Sequence, residues 1–178
     1  MLASIRVPRP GGRGRPRIRP DRLLAHARER VAELQAPFAP RQFPNRLIGA
    51  LVPFLEYAGR CTTTDQRLFV AGDAPEIYVY GRRLFAGGQP ALRSGFFSTV
   101  ADQRRLVLKL RRQDVPLALV LSEGDAAVFP LVMAELDSEF RSVWEIPVEG
   151  QGTARVSVNA RIRPHHVDPA TGLPCFAG

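Results

Sequence analysis

Arg67-Leu68-Phe69-Val70-Ala71, followed at once by Gly72-Asp73-Ala74-Pro75-Glu76, decides the fold. The first five residues form a short apolar run after a polar cluster, Thr62 to Asp65. That pattern predicts a buried strand. The next five predict a helix start. Asp73 stands where an N-cap would, Pro75 falls in the first turn, and Glu76 lies three residues after Asp73. A strand that turns directly into a helix is the unit of an α/β sheet.

Toward the C-terminus the same alternation continues. A short helix is expected over about 75–83, with Gly81 and the Gly87-Gly88 pair punctuating its exit and a strand nearby. Ser98 and Thr99 are N-cap candidates, with Asp102 three residues after Thr99. They predict a helix over 99–112, with Val100, Leu106, Val107 and Leu110 inward and Arg104, Arg105, Arg111 and Arg112 outward. Val115 to Leu121 reads as a second buried strand, with Pro116 at its start. Phe129, Val132, Met133, Leu136 and Phe140 recur at helical spacing and predict a helix over 125–140. Trp144–Val148 and Thr153–Val158 alternate around Glu149-Gly150-Gln151-Gly152, a hairpin pattern. From Arg163 onward the chain is turn-rich and has no period.

Upstream, Leu47, Ile48, Leu51, Val52 and Leu55 predict a helix over about 46–58, which Pro53 either kinks or begins. Pro37, Pro40 and Pro44 suggest an extended connector, and Leu23, Leu24, Ala27, Val31 and Leu34 an earlier helix over 21–35. The expected organisation is a disordered Arg/Pro/Gly-rich tail (1–20), a helical lead-in (21–60), an α/β domain (61–163) and an irregular C-terminal segment (164–178). The expected fold is α/β. A mostly parallel sheet would carry helices on both faces and a C-terminal antiparallel β-hairpin.

Composition agrees with one packed domain: 178 residues, 45% of them hydrophobic. The net charge of +8 is uneven. Residues 1–22 hold seven arginines against Asp21, leaving the rest of the chain near neutral. No run of about 18 apolar residues occurs, so no segment of the sequence reads as a membrane-spanning helix. The opening Met-Leu-Ala-Ser-Ile-Arg lacks the apolar core of a secretory signal, and the expectation is a chain that stays where it is made unless it is part of something larger.

Candidate chemistry is sparse. The turn after the first strand is Gly72-Asp73-Ala74-Pro75, without the glycine spacing of a dinucleotide site, and a P-loop is missing too. Ligands of such sheets bind beyond the carboxyl ends of the strands, which nominates Asp73, Glu76, Ser122, Glu123 and Asp125. Asp73 and Glu76 could form an acid/base pair at the sheet end; the simpler reading is a helix cap. Arg82, Arg83, Gly87 and Gly88 could meet an anion such as a lipid phosphate, the guanidinium supplying a planar fork and glycine a close backbone approach. His165-His166-x-Asp168 is read as a chance pairing, because adjacent histidines point different ways; His26 has no evident partner, and no metal or cofactor is expected. Ser94-Gly95 has no assignable base. Tyr57, Tyr78, Tyr80 and Trp144 are read as core or interface. Cys61 and Cys175 are read first as small buried residues; a disulfide between them requires an oxidising compartment. Arg13-Gly14-Arg15-Pro16 matches the centre of AT-hook peptides, which lie in the narrow minor groove of A·T-rich DNA. The same tail suits anionic lipid.

An ordered set of short motifs carries one family resemblance. Cys61-Thr62, Asp65-Gln66-Arg67-Leu68, Ala74-Pro75-Glu76-x-Tyr78-x-Tyr80, Arg83, Phe85-Ala86-Gly87-Gly88 and Ala101-Asp102-Gln103-Arg104 appear in sequence. Asp168-x-x-Thr171-Gly172-x-Pro174-Cys175-Phe176 closes the set. Together they resemble the C-terminal soluble region of integral-membrane, polyprenyl-phosphate-sugar-dependent glycosyltransferases, similar to dolichyl-phosphate-mannose protein mannosyltransferases. The likeness covers roughly residues 45–178. Relatives tend to Gly-Arg-Pro where this chain reads Gly81-Arg82-Arg83-Leu84. The family's catalytic acid lies in a loop among membrane helices, so no catalytic residue carries over. The resemblance implies a non-catalytic, extracytoplasmic accessory domain, whose partners would be the membrane part of the enzyme or its lipid-linked sugar. The rival readings are a small DNA-associated protein acting through its tail and a stand-alone enzyme using Asp73 and Glu76.

Overall fold

A computed structural model describes residues 46–121, 127–150 and 152–178. The tail, the helix expected over 21–35, the proline connector and His26 lie outside the described residues, as do Ser122, Glu123 and Asp125.

The described chain opens with helix α1, Arg46–Cys61. Leu47, Ile48, Leu51, Phe54, Leu55 and Ala58 are buried along one side, the spacing of an amphipathic helix. Pro53 sits in the helix interior, on the exposed side, rather than in the first turn. Strand β1, Arg67–Ala71, follows. Helix α2 covers Glu76–Gly81 and strand β2 Leu84–Phe85. Helix α3 is Val100–Arg112 and strand β3 Leu117–Val120. Helix α4, Pro130–Glu139, runs directly into β4, Phe140–Val148, and β5, Gly152–Asn159, returns beside it. Two short strands end the chain, β6 at His166–Val167 and β7 at Pro174–Cys175.

Five strands form one sheet in the order β2-β1-β3-β5-β4. β1 runs parallel to both β2 and β3, whereas β5 runs antiparallel to both β3 and β4. The sheet is therefore mixed, and parallel pairing does not predominate among the described residues. The cause is that β5, not β4, docks beside β3. The hairpin enters beside β3 and adds two antiparallel strand pairings to the two parallel ones. β6 and β7 make a separate antiparallel pair in a segment that reads from sequence as irregular.

The core explains the strand sequences. β1 and β3 are buried along almost their whole length. Phe69, Ala71, Ala118 and Val120 pack with Leu106 and Leu110 of α3 and with Val132 and Leu136 of α4. The alternate residues, Leu68, Val70, Leu117 and Leu119, are equally buried. Successive side chains point to opposite faces, so neither face of these strands meets water.

Two local expectations need correction. Asp73 does not cap α2. Pro75 occupies that position in helical geometry, no side chain caps it, and the helix begins two residues later than an Asp73 cap requires. The first N–H groups, of Ile77 and Tyr78, bond to the Ala74 and Pro75 carbonyls instead. Val100 is not inward either; it is 55% exposed. Thr99 caps α3 by accepting from the Asp102 N–H, which places Val100 at the first position and turns Gln103 inward.

Candidate functional site

The densest set of polar interactions lies where the C-terminal segment returns to the end of α1. Cys61, the last residue of α1, is disulfide-bonded to Cys175. Both cysteines are buried, as their sequence reading has it, and of the two states left open there the disulfide is the one present. The two residues are 114 apart in sequence with Cα atoms 4.4 Å apart, a proximity that no local spacing announces. The Cys61 carbonyl also accepts N–H bonds from Phe176 and Ala177. One turn earlier, the buried Tyr57 hydroxyl donates to the Pro174 carbonyl, and its ring meets Trp144 edge-on. Burial raises the Tyr57 hydroxyl to about 12, with the Asp168 charge adding to the shift. Tyr57 therefore stays a donor across the physiological range.

Asp168 sits beneath this junction with its side chain almost wholly buried. Its carboxylate accepts from Arg60 Nε and Nη2, at 3.4 and 3.0 Å, and from the Thr171 hydroxyl at 2.7 Å. The Arg60 and Thr171 hydrogen bonds hold it down to about 2. A buried carboxylate is tolerated only with such partners. His165 and His166 lie nearby in sequence and are exposed, and Asp168 is directed to Arg60 rather than to them. Among the described residues, His, Cys, Asp and Glu form no cluster of three that could hold a metal.

Arg83 completes the junction from the other side. Its Nε donates to the Thr62 hydroxyl at 2.7 Å, and its Nη2 reaches the carbonyls of Ala58, Gly59 and Thr62. Its Nη1 bonds to the Arg82 carbonyl. The last carbonyls of a helix lack partners within the helix, and a guanidinium at that end also favours the helix dipole. Arg83 thus closes α1. Its nitrogens are directed at the Thr62 hydroxyl and at backbone carbonyls. The adjoining glycines have steric reasons. Gly87 and Gly88 have φ of +74° and +79°, and a Cβ on either would press on α3, against Leu106 or Lys109. Arg82 caps α2 in a left-handed conformation. The structure therefore places Arg82, Arg83, Gly87 and Gly88 in one turn but gives Arg83 and the glycines architectural work.

At the sheet end, Asp73 is half-exposed and lies 3.6 Å from Arg93 Nε. Glu76 lies in the first turn of α2, partly buried. Ser94 and Gly95 occupy the exposed loop that follows.

Several polar residues that sequence reading passes over are structural ties. Tyr78 is 6% exposed, and its hydroxyl accepts the Val70 N–H at 3.0 Å. β2 is too short to pair with that N–H, and an unpaired buried N–H is costly. Burial raises the Tyr78 hydroxyl above its ordinary value. Gln103 donates to the Ser98 and Val128 carbonyls and accepts from the Leu131 N–H, tying α3 to the start of α4. Glu135, buried on α4, receives a two-point bond from Arg111 at 2.8 and 2.6 Å. Helical period alone assigns Arg111 to solvent and cannot locate its partner 24 residues away. A groove of ≈ 540 Å³ lies beside that pair, between α3 and α4, lined by Arg104, Val107, Leu108, Leu131 and their neighbours. No described helix is long and apolar enough to cross a membrane. The chain matches no family model, no curated protein and no solved structure.

Proposed function

We propose that this chain is a non-catalytic accessory domain, acting on the extracytoplasmic side of a membrane, of the kind that accompanies lipid-linked-sugar glycosyltransferases. The Cys61–Cys175 disulfide carries the reading. Such bonds persist in oxidising compartments and are rare where thiols are kept reduced. Both cysteines belong to the motif set behind the family resemblance, one at its start and one at its end.

The roles of the other motif residues support the same reading. Thr62, Tyr78, Arg83, Gln103 and Asp168 each hold one part of the fold to another. Motif residues with such roles serve an architecture and leave the bond-making to a separate part. The same reading has helices on both faces of the sheet, supported by the burial of both alternating sets of side chains in β1 and β3. Its partners would be the membrane part of the transferase or the lipid-linked sugar held there.

Fractionation of the native cells tests this. An antibody against the chain is expected to detect a membrane-bound product that added protease degrades once the outer face of the membrane is exposed. A product found only in the cytoplasm, with Cys61 and Cys175 reactive to a thiol label, overturns the proposal. The purified chain is expected to transfer no sugar from a polyprenyl-phosphate donor, and transfer would overturn the non-catalytic part.

A further inference from the structure

We propose that the solvent face of α3, continued by the Phe96-Phe97 loop tip, is a docking surface for an anionic lipid bilayer. The loop is fixed at both ends. Leu92 is buried and its N–H bonds to the Gly72 carbonyl, while Thr99 caps α3. Between these anchors Phe96 and Phe97 are 61% and 59% exposed. They do not fill a gap in the core. Phe97 has φ +52°, a conformation that a bulky residue with a Cβ adopts only at a cost. The ring nevertheless faces outward, and glycine would serve the backbone better. Arg93 lies over the Phe96 ring at 5.7 Å.

The adjoining helix supplies a predominantly basic face. Leu106 and Leu110 face the core, and the opposite side of α3 presents Arg104, Arg105, Leu108 and Arg112. Arg105 lies 3.4 Å from Asp102; no ion pair engages Arg104 or Arg112 among the described residues. Leu108 is 51% exposed at the middle of this face and lines the groove with Leu131 of α4. Val100, also exposed, extends the apolar contribution back to the loop. An amphipathic basic helix with protruding aromatic residues fits a headgroup layer, where arginines meet phosphates and apolar side chains enter the acyl boundary. Nucleic acid would satisfy the arginines and leave Phe97, Val100 and Leu108 in water. The surface gives the accessory domain a place to lie and rests on that reading only for where it meets a bilayer.

Co-sedimentation of the full chain with vesicles tests the inference. Phosphatidylcholine alone is compared with phosphatidylcholine mixed with phosphatidylglycerol. All proteins carry Arg6→Gln, Arg9→Gln, Arg13→Gln, Arg15→Gln, Arg17→Gln and Arg19→Gln, which removes every arginine of the tail at 1–20. Binding to the anionic vesicles is expected, weakening as salt rises. Phe97→Gly should reduce it by roughly tenfold or more, the effect of withdrawing one large apolar side chain from the acyl boundary. Its melting temperature should equal or exceed the parent's, because glycine accepts the positive φ; loss of binding is then separate from loss of fold. Arg104→Glu with Arg105→Glu should also abolish binding, and Val167→Ser, at an exposed apolar site elsewhere, should not. In Phe97→Trp the introduced indole is expected to be quenched by brominated lipid. Binding that ignores both Phe97→Gly and the arginine reversals overturns the proposal, as does tight DNA binding without vesicle binding. An extracytoplasmic chain that ignores vesicles would refute this surface alone. A vesicle-binding chain confined to the cytoplasm would refute the location alone.

Discussion

Cys175 is bonded through sulfur to Cys61, and the next two residues donate their N–H groups to the Cys61 carbonyl. A covalent and a hydrogen-bonded link thus meet at the last residue of α1. The C-terminal segment is fastened there across the whole α/β unit.

Breaking the covalent link should therefore cost stability without changing the fold. Cross-linking residues this far apart removes much of the unfolded chain's freedom, and a loss of about 3 kcal/mol is expected for Cys61→Ser with Cys175→Ser. Urea unfolding of the parent with and without dithiothreitol gives the same comparison. The midpoint should fall on reduction. Equal midpoints would mean that the hydrogen bonds around Cys61 suffice.

Arg83 makes a prediction that separates charge from geometry. Arg83→Lys keeps the charge but cannot bond the Thr62 hydroxyl and the Ala58, Gly59 and Thr62 carbonyls together. It should destabilise the protein by about 2 kcal/mol, close to the cost of Arg83→Ala, because both leave carbonyls at the end of α1 unpaired. Denaturant melts measure this. If lysine restored full stability, positive charge at the helix end would matter more than the fork of hydrogen bonds. Phosphate affinity should be the same in all three proteins.

What the sequence discloses and what it withholds divide along range. Arg67–Ala71 is legible as a buried strand because five consecutive residues carry the pattern. Thr99 is legible as a cap because its partner, Asp102, stands three residues on. The same local logic misplaces Asp73, since it cannot see that α2 begins at Glu76. It can nominate Arg83 for an anion, since arginine near glycine suits one, but cannot see the carbonyls on α1, more than twenty residues away, that Arg83 bonds. Cys61 and Cys175 are the extreme instance. Composition offers two cysteines, and only the return of the C-terminal segment joins them. The mixed character of the sheet is likewise decided by where β5 docks, a choice of neighbour that a hairpin pattern does not encode.

The Arg13-Gly14-Arg15-Pro16 segment yields an independent prediction from sequence. If it reads the minor groove, deleting residues 1–20 abolishes salt-sensitive binding to A·T-rich duplex, and Arg15→Gln weakens it at low salt. A gel-shift titration at several salt concentrations measures both. Binding unchanged by the deletion ends the DNA reading.

Asp168 makes the protein's acid stability predictable in sign. Arg60 and Thr171 hold its carboxyl at about 2, below the ordinary 3.8. A carboxylate depressed on folding contributes its full stability above the unfolded value and loses it as pH falls through the folded one. The contribution of Asp168 should therefore be complete above pH 3.8 and vanish toward pH 2. In Asp168→Asn this pH-dependence disappears, because no proton is taken up at the site. The variant should also melt several degrees lower at neutral pH, since Arg60 loses its partner and a buried amide replaces the ion pair. Urea midpoints of parent and variant, measured from pH 6 to pH 2, should converge as pH falls. Curves that stay parallel would mean that another carboxylate governs acid unfolding and that Asp168 is not the ion that secures the C-terminal segment to α1.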